Sequence, residues 1–324
     1  MEFKKELYGK NILVTGATGL IGQNIVKTLL CLDANVIAVV RNKEKAQKIF
    51  IDNNGIKYIV CDIVNLPIRK MDIDFIIHAA ANTSSKEFIE NPVGISFIAL
   101  EGTRRVLELA KLNHVKSLVY LSSMEVYGAP KTDEKIDELY STNIDTMSTR
   151  SAYPESKRMC ENLCASYAAQ YGVPTKVVRL TQTFGPGVEY HDGRVFAEFA
   201  RCAIEGKNIV LRTKGETKRA YLFIDDAVSA ILTVLIKGKI GEAYNAANED
   251  TYCSIYEMAE LVANKCCNQT IGIVIAENDV SNYGYAPTLK MNLSTKKIQE
   301  IGWKATTNLQ EMFQKTINYM MSIR

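Results

Sequence analysis

The sequence predicts an α/β protein built on a doubly wound parallel sheet, with a smaller α/β lobe near the C-terminus. In the first half, short runs of β-branched and aliphatic residues alternate with longer amphipathic stretches, and the short runs are apolar throughout. Strands buried on both faces have this composition, and their alternation with helices indicates right-handed crossovers between parallel strands. Beyond residue 180 the alternation loosens and polar residues, glycine and proline become frequent, which predicts the second lobe.

The individual elements follow from these runs. We expect strands at Asn11–Thr15, Asn35–Val40, Ile56–Cys61, Phe75–Ala79, Ser117–Leu121 and Thr175–Leu180, and helices at Gly22–Leu32, Lys43–Phe50, 93–113 and 155–171. Further along, we expect a helix at Ile224–Ile236 and short strands at Ala243–Asn245 and Ile271–Ala276. This order predicts a dinucleotide-binding domain over residues 1–180 with a returning segment at about 220–248. Residues 181–219 and 249–324 are expected to form the substrate lobe.

Composition and charge narrow the class of function. The 324 residues are 47% apolar and 23% charged, as in an ordinary globular enzyme. Lys and Arg total 39 against 36 Asp and Glu, and no basic run stands out, so we expect no nucleic-acid partner. The best candidate for a membrane span, Ala227–Ile236, has only ten residues, so we expect no membrane partner either.

Cysteine and histidine usage predicts no metal site. The eight cysteines form no CxxC pair, and the chain has three histidines. Cys160 and Cys164 lie one helical turn apart, and we interpret them as buried thiols on the inner face of a helix. The N-terminus lacks the apolar core of a signal peptide. With the scattered thiols, this predicts a cytoplasmic protein.

A glycine-rich loop, TGATGLIG at 15–22, joins the first predicted strand to the first helix. Gly16 allows the tight turn, Gly19 lets the backbone approach a pyrophosphate, and Gly22 lets the helix pack closely. The helix N-terminus offers N–H groups and a positive dipole end to the phosphates. The context predicts NAD or NADP binding. The residues expected to contact the cofactor here are Gly16, Thr18, Gly19, Leu20, Ile21 and Gly22.

The end of the second predicted strand bears on which dinucleotide is bound. It carries no carboxylate for the ribose 2′-hydroxyl of NAD, whereas Arg41 can pair with the 2′-phosphate of NADP. We favour NADP; the alternative is a solvated Arg41 with NAD still bound. Asp62 and Ile63, after the third strand, are expected to touch the adenine. The small residues expected beside the cofactor after the fourth strand are Ala79, Ala80 and Ala81.

Tyr153 and Lys157 stand four residues apart at the start of a predicted helix, so they share one face. A lysine beside a phenol favours the phenolate and lowers the pKa of the phenol. Tyr153 is therefore a candidate general base that takes a hydroxyl proton while hydride leaves the same carbon for nicotinamide. Ser123 follows the strand Ser117–Leu121, where ligands bind in this fold, and can hydrogen bond the reacting oxygen.

Together, these motifs resemble the extended short-chain dehydrogenase/reductase family of NAD(P)-dependent nucleotide-sugar epimerases, dehydratases and decarboxylases. The matching motifs are TGATGLIG at 15–22, SSMEVYG at 122–128, YPESK at 153–157, RLTQTFGPG at 179–187, Arg219 followed by YLFIDD at 221–226, and Gly302-Trp303. The resemblance implies a Ser123, Tyr153 and Lys157 triad and a Rossmann domain with a sugar-nucleotide lobe. It also implies homodimerisation through the helices at about 93–113 and 155–171.

Glu125 and Met124 bear on the reaction. The resemblance implies that a carboxylate at position 125 is typical of 4,6-dehydratases and UDP-glucuronate decarboxylases, and not of typical 4-epimerases. In a dehydratase it would remove the C5 proton, which becomes acidic once C4 is oxidised. Met124 stands where dTDP-type dehydratases carry an acidic aspartate, although GDP-mannose-type dehydratases lack it too. A surface carboxylate without a catalytic role is the alternative for Glu125.

Two departures from the family pattern concern the substrate. Gln182 replaces the usual asparagine, and the expected nucleotide-clamping arginine is not evident at 282–287. The candidate substrate contacts are Thr83, Gln182, Arg194 and Arg219. The two arginines suit bidentate phosphate binding, with a solvated or structural role as the alternative.

We therefore predict an enzyme that oxidises a nucleotide sugar at C4, with dehydration or decarboxylation favoured over simple 4-epimerisation. One alternative is an NADPH-dependent reductase of a keto-sugar nucleotide. A non-catalytic redox sensor that binds dinucleotide is the alternative from another class.

Overall fold

The structure is a computed structural model that describes residues 2–51, 55–83, 87–267, 271–276 and 288–324. Its strands are β1 Asn11–Thr15, β2 Asn35–Val40, β3 Ile56–Val60, β4 Phe75–His78, β5 Ser117–Ser123, β6 Thr175–Leu180, β7 Gln182–Phe184, β8 Ile209–Leu211, β9 Lys218–Phe223, β10 Ala243–Ala246, β11 Asn248–Ser254, β12 Ile273–Ile275 and β13 Lys290–Met291. Its α-helices are α1 Glu2–Leu7, α2 Leu20–Cys31, α3 Lys43–Ile49, α4 Glu87–Glu90, α5 Pro92–Asn113, α6 Ala152–Tyr171, α7 Val195–Glu205, α8 Ile224–Lys237, α9 Ile255–Leu261, α10 Lys296–Glu300 and α11 Leu309–Ser322. Short 3₁₀ turns occupy Ile63–Asn65, Met124–Tyr127 and Thr149–Ser151, and a π-helical turn follows α9 at Val262–Cys266.

A seven-stranded parallel sheet forms the larger part of the molecule, in the order β10-β6-β5-β4-β1-β2-β3. The predicted doubly wound α/β fold is confirmed. The strand order reverses between β1 and β4, which lie side by side with Thr15 opposite His78. In such sheets a ligand binds outside the carboxyl ends of the strands at this reversal. The chain segments that follow β1, β4 and β5 therefore border the candidate site.

The two faces of this sheet are covered by different helices. Helices α2 and α8 pack on one face with Trp303, whose indole Nε1–H donates to the Ser229 hydroxyl at 2.8 Å. Helices α5 and α6 pack on the other face. Each helix has an apolar face at helical spacing, and these faces pack against the sheet from both sides. The main core therefore consists of apolar strands between two layers of helices.

A smaller lobe is built mainly from strands that the sequence did not predict, although β12 falls within the strand expected at Ile271–Ala276. β9 pairs with β11, β13 and β7, and β8 pairs with β12. Their apolar side chains, including Phe184, Tyr221 and Phe313, pack with α7, α9 and α11 in a second core. Within the returning segment expected at about 220–248, α8 and β10 lie with the large sheet, whereas the β9 residues belong to the lobe.

The lobe contacts helix α2 of the large domain directly. Asn24 Nδ2 on α2 donates to the carbonyl of Pro186 at 3.1 Å, and Gln23 Nε2 donates to the carbonyl of Gly187 at 3.2 Å. None of the helices in the described part of the chain has the length and apolar character that crossing a membrane requires.

Candidate active site

The phosphate loop between β1 and α2 has room for glycine alone at two positions. Gly16 has a φ of +65°, and a Cβ there would lie 2.8 Å from the backbone of Ala79 and Ala80. A Cβ at Gly22 would lie 2.1 Å from the carbonyl oxygen of Gly16, so Gly22 sets the contact between the helix and the loop itself. Gly19 is the N-cap of α2 and no described side chain caps it. The first turn of α2 therefore presents N–H groups that suit a pyrophosphate.

A buried hydrogen-bond chain ties this loop to the helices behind it. Ala80 N–H donates to Thr15 Oγ1 at 3.1 Å, and Thr15 Oγ1 lies 2.7 Å from His78 Nδ1. His78 Nε2 lies 3.2 Å from Thr103 Oγ1, which donates to Cys160 Sγ at 3.3 Å. Because Thr103 Oγ1 donates its proton to Cys160 Sγ, it can only accept from His78 Nε2. We therefore assign the imidazole proton to Nε2. Burial, together with the charge of Lys157, lowers the pKa of His78 to about 3, so the ring is neutral.

Tyr153 and Lys157 lie in the first two turns of α6, beneath the carboxyl end of β5. Both are buried, with 7% and 4% of their surfaces exposed. Lys157 Nζ donates to the carbonyl of Leu121 at 2.7 Å and lies 5.9 Å from the centre of the Tyr153 ring. Ser123, at the end of β5, lies close enough to the Tyr153 phenol for its hydroxyl to lower the pKa of that phenol. The structure thus brings the three predicted triad residues together.

Burial changes the acidity of this pair in the ligand-free site. It lowers the pKa of Lys157 to about 8, because the charged ammonium is poorly solvated. It raises the pKa of Tyr153, and the negative charge of Glu125 raises it further. The hydrogen bond from Ser123 and the positive charge of Arg150 act in the opposite direction. From the sequence we expect a lowered pKa for this phenol. In the structure, desolvation outweighs the neighbours that lower it.

Two residues that the sequence does not predict lie beside the tyrosine, one stacked on its ring and the other stacked on the first. Phe88 on α4 is buried and stacks on the Tyr153 ring, with centroids 4.3 Å apart and planes inclined by 17°. The guanidinium carbon of Arg150 lies 4.8 Å from the centre of the Phe88 ring. Neither residue belongs to a motif with a known chemical role, so only the folded geometry reveals them.

Glu125 lies at the same edge of the sheet as Ser123. It belongs to the 3₁₀ turn Met124–Tyr127, and its backbone N–H donates to Ser123 Oγ at 3.2 Å. Its carboxylate accepts a hydrogen bond of 2.9 Å from Arg150 Nη2 and is 25% exposed. Met124 points elsewhere: it is buried, and its sulfur accepts a hydrogen bond from Thr181 Oγ1 at 3.3 Å. The site therefore has a carboxylate at position 125 and no acid at position 124.

The predicted adenosine contacts are divided between exposed and buried side chains. Arg41 is exposed just beyond β2, and Asn42 caps α3 by accepting from Lys45 N–H at 2.8 Å. The Asp62 carboxylate accepts from Val64 N–H at 3.2 Å and so caps the 3₁₀ turn that follows it. Ile63 is buried, and its side chain lies against α5 where a Cβ on Gly102 would meet it at 2.9 Å. The Ile63 side chain thus packs in the core.

The predicted substrate contacts come from both parts of the molecule, since Thr83 follows β4 of the large sheet and the other three residues lie in the lobe. Gln182 begins β7 and is half-buried, and Thr83 is exposed. Arg194 forms an ion pair with Asp192 at 2.6 Å, which favours a structural role for it. Arg219 Nε and the Tyr221 hydroxyl, the latter missed by the sequence argument, are buried with no hydrogen-bond partner among the described residues.

Residues 282–287, where the clamping arginine was sought, lie outside the described residues. In the described ranges there is no group of three or more His, Cys, Asp or Glu residues placed to hold a metal ion. Cys160 and Cys164 are both buried on α6, and the Cys160 thiol donates to the carbonyl of Ala99 at 3.3 Å.

Known proteins share this sequence pattern and fold. Residues 12–247 match the sequence model of the NAD dependent epimerase/dehydratase family. UDP-glucuronic acid decarboxylase 1 of Xenopus tropicalis is 28% identical over 323 residues, which covers 98% of this chain and 74% of that protein. UDP-glucose 4-epimerase of Thermotoga maritima, solved with UDP-glucose, superposes with a TM-score of 0.83 at 22% identity, covering 97% of this chain and 99% of that one. dTDP-glucose 4,6-dehydratase of Bacillus anthracis, solved with NAD, gives a TM-score of 0.80 at 23% identity and 97% coverage of both chains.

Proposed function

The chain belongs to the NAD dependent epimerase/dehydratase family, and on this premise we propose that it decarboxylates a nucleotide-linked hexuronate after oxidising the sugar at C4. The observation that carries the proposal is the Glu125 carboxylate, which lies close enough to Tyr153 for its charge to act on the phenol. A simple 4-epimerase needs a base at C4 only. A second acid–base group beside the first suits a reaction that continues at C5.

The first step uses the triad. Tyr153, as phenolate, takes the proton of the C4 hydroxyl, and the Ser123 hydroxyl donates to the same oxygen as its charge changes. The phosphate loop would hold a nicotinamide dinucleotide, which when bound accepts hydride from C4 and later returns it. Lys157 supplies positive charge next to the phenolate when protonated, and its bond to the Leu121 carbonyl fixes the amine in place.

The second step begins from a ketone at C4. In a hexuronate this ketone lies β to the carboxylate, so carbon dioxide leaves as the C5 electron pair is delocalised onto the ketone oxygen. C5 must then gain a proton, and we assign its delivery to Glu125. Return of the hydride to C4 and of the proton from Tyr153 completes a cycle without net oxidation.

The second candidate is 4,6-dehydration, which the same Glu125 would serve by removing the C5 proton. Dehydration also requires an acid to protonate the departing 6-hydroxyl. Position 124 offers none, because Met124 is buried against Thr181. The frog relative, which is named a UDP-glucuronic acid decarboxylase and matches 98% of this chain, agrees with the preference for decarboxylation.

Incubation with UDP-glucuronate in deuterated water, followed by mass spectrometry, tests this proposal. We expect loss of carbon dioxide and gain of one deuterium at C5, and no product from Tyr153→Phe. Loss of water from a UDP- or dTDP-hexose, or an isomer of unchanged mass, would replace decarboxylation by dehydration or epimerisation. Steady consumption of NADPH on a keto-sugar would point to a reductase, and cofactor binding without turnover of any sugar nucleotide would point to a sensor.

We further propose NADP as the preferred dinucleotide. NAD is the cofactor named with the dehydratase structure, and the fold similarity does not distinguish the two. Support for NADP comes from Arg41, which is exposed at the end of β2 with no carboxylate beside it on that strand end. An arginine in this place can form a bidentate bond to the 2′-phosphate.

The nucleotide sugar is proposed to bind in the lobe against Arg219 and Tyr221. Both offer buried hydrogen-bonding atoms that no described residue satisfies, and a buried polar atom without a partner costs about 1–3 kcal/mol. A diphosphate or ribose oxygen would remove that cost. Gln182, which pairs with Tyr221 across β7 and β9, and Thr83, which follows β4, remain proposed sugar contacts.

We also propose a homodimer formed through α5 and α6. On α5, Val93 and Phe97 lie on one face and are 80% and 59% exposed, and on α6 Met159 is 47% exposed. Burying such side chains against a second copy would recover their apolar area. The buried Cys160 and Cys164 are free thiols, which suits work in the reducing cytoplasm.

A further inference from the structure

Arg150 lies in the 3₁₀ turn Thr149–Ser151, immediately before the helix that carries Tyr153. Its Nη2 donates to the Glu125 carboxylate at 2.9 Å, and both side chains are largely buried, with 19% and 25% exposed. The same guanidinium stacks 4.8 Å from the Phe88 ring, and Phe88 stacks on Tyr153. One side chain thus contacts the second-step carboxylate and the residue that covers the first-step base.

We propose that Arg150 is a positioning residue for both steps: it holds the Glu125 carboxylate toward C5 and offsets its negative charge at Tyr153. The proposal rests on the two-step function above and adds a residue to it. Without a cation beside it, a carboxylate this close to Tyr153 would oppose formation of the phenolate, so the second step would hinder the first.

The electrostatics around Tyr153 agree with this role. The Glu125 charge raises the pKa of Tyr153 and the Arg150 charge lowers it, so the two oppose each other at the phenol. The other titratable groups near the ring are Tyr120 and Lys157, and α4, which carries Phe88, also carries Glu87 and Glu90. A unit charge at a separation on the order of 9 Å changes a pKa by about one unit at an effective dielectric of about 20.

The turn that carries Arg150 does not depend on its side chain for its shape. Ser151 N–H donates to the Ser148 carbonyl at 3.0 Å, and Ser151 Oγ donates to the Asp145 carbonyl at 2.6 Å. We therefore expect Arg150→Met to fold and to bind cofactor. Arg150→Lys restores the charge, although with fewer donors, so charge and geometry are separable.

The test measures single-turnover formation of reduced cofactor with UDP-glucuronate across pH. The variants are wild type, Arg150→Met, Arg150→Lys, Glu125→Gln, and the Glu125→Gln/Arg150→Met pair. Oxidation needs the phenolate, so its rate rises with pH through the Tyr153 ionisation. We call this rise in the pH profile of the oxidation rate the limb. Arg150→Met should shift the limb about one pH unit higher, so that oxidation at pH values below it is about tenfold slower. Lysine should restore most of the shift, and Glu125→Gln should move the limb lower.

The double variant separates a shared electrostatic role from a merely structural one. If the two charges offset each other, its limb returns close to that of wild type. Once oxidation is complete, Arg150→Met should form the decarboxylated product more slowly than wild type, because Glu125 is no longer held. Arg69→Met, an exposed arginine that precedes β4 at the opposite edge of the sheet, is the matched control and should match wild type throughout.

Three results would overturn the proposal. An Arg150→Met limb that coincides with wild type would do so, as would a Glu125→Gln limb that does not move lower. A double variant slower than Arg150→Met alone would show structural damage in place of charge balance. If Arg150→Met fails to fold, Arg150→Gln takes its place and should show the same shift of the oxidation rate to higher pH. Failure of the proposed function is visible separately, since wild type itself would then either not reduce its cofactor with UDP-glucuronate or release no carbon dioxide from it.

Discussion

Replacing Gly22 by alanine tests how closely α2 must pack on the phosphate loop. Gly22 lies inside α2, where alanine is normally about 0.8–1 kcal/mol more favourable than glycine, so helix propensity alone predicts a more stable protein. Against this, the new Cβ would lie 2.1 Å from the Gly16 carbonyl oxygen and 2.8 Å from its carbon. The helix would have to move by about 1 Å to restore contact distance, and such overpacking costs about 1–3 kcal/mol.

The steric cost outweighs the propensity gain, so we expect net destabilisation of up to about 2 kcal/mol. Thermal unfolding should show a Tm lower by several degrees, on the order of 2–4 °C per kcal/mol for a chain of this size. Because the displaced turn also presents the N–H groups for the pyrophosphate, calorimetric titration should show dinucleotide affinity reduced at least about tenfold. Gly193→Ala, where a Cβ meets nothing within 4 Å and φ is not positive, is the matched control. A Tm and an affinity for Gly22→Ala equal to those of Gly193→Ala would refute this reasoning.

Three further predictions concern the cofactor, the buried lysine and the helix surface. Arg41→Asp should weaken NADP binding at least about tenfold and strengthen NAD binding, as measured by titration; unchanged selectivity would assign Arg41 to solvent. The pKa of Lys157 is lowered to about 8 from an unfolded value near 10.5, so its burial destabilises the fold at pH 7, and stability is regained as pH rises through that window. Lys157→Met should therefore be more stable relative to wild type at pH 7 than at pH 11, and this difference between the two pH values should be up to about 3 kcal/mol in denaturant titrations. The variant should also lose turnover. A stability difference that does not change with pH would show that the lysine is not desolvated. Phe97→Glu should convert the proposed dimer to monomer in sedimentation experiments, whereas Ile51→Glu, at an exposed residue far from α5 in sequence, should not.

The large sheet was predictable because its strands are buried on both faces. Runs such as Asn11–Thr15 and Thr175–Leu180 have apolar residues at their centres and are buried along almost their whole length, and their bounds in the structure agree with the prediction. The lobe strands are different. Asn248–Ser254 and Lys218–Phe223 mix polar and apolar residues, and they are held by pairing between distant segments. A local apolar pattern does not report such pairing.

The residues of the site likewise fall into those that the sequence predicts and those that only the folded structure reveals. Tyr153, Lys157 and Ser123 could be predicted because their chemistry requires fixed spacing on one helix and at one strand end. Arg150 and Phe88 could not, because their roles arise from stacking between separate turns. Sequence order placed Ile63 at the correct edge of the sheet, but the fit against Gly102 directs its side chain into the core. Similarly, the neighbouring lysine suggested an acidic phenol, whereas burial raises the pKa of Tyr153.

Glu125→Gln in a single turnover tests the two-step account most directly. The variant keeps Tyr153, Lys157 and Ser123, so it should oxidise the nucleotide sugar and reduce the bound cofactor. It should then stall, because the residue that serves C5 can no longer exchange a proton. We predict that the absorbance of the reduced cofactor rises and persists, whereas in wild type it rises and decays. Decay at the wild-type rate in Glu125→Gln, with normal product release, would contradict the assignment of the second step to Glu125.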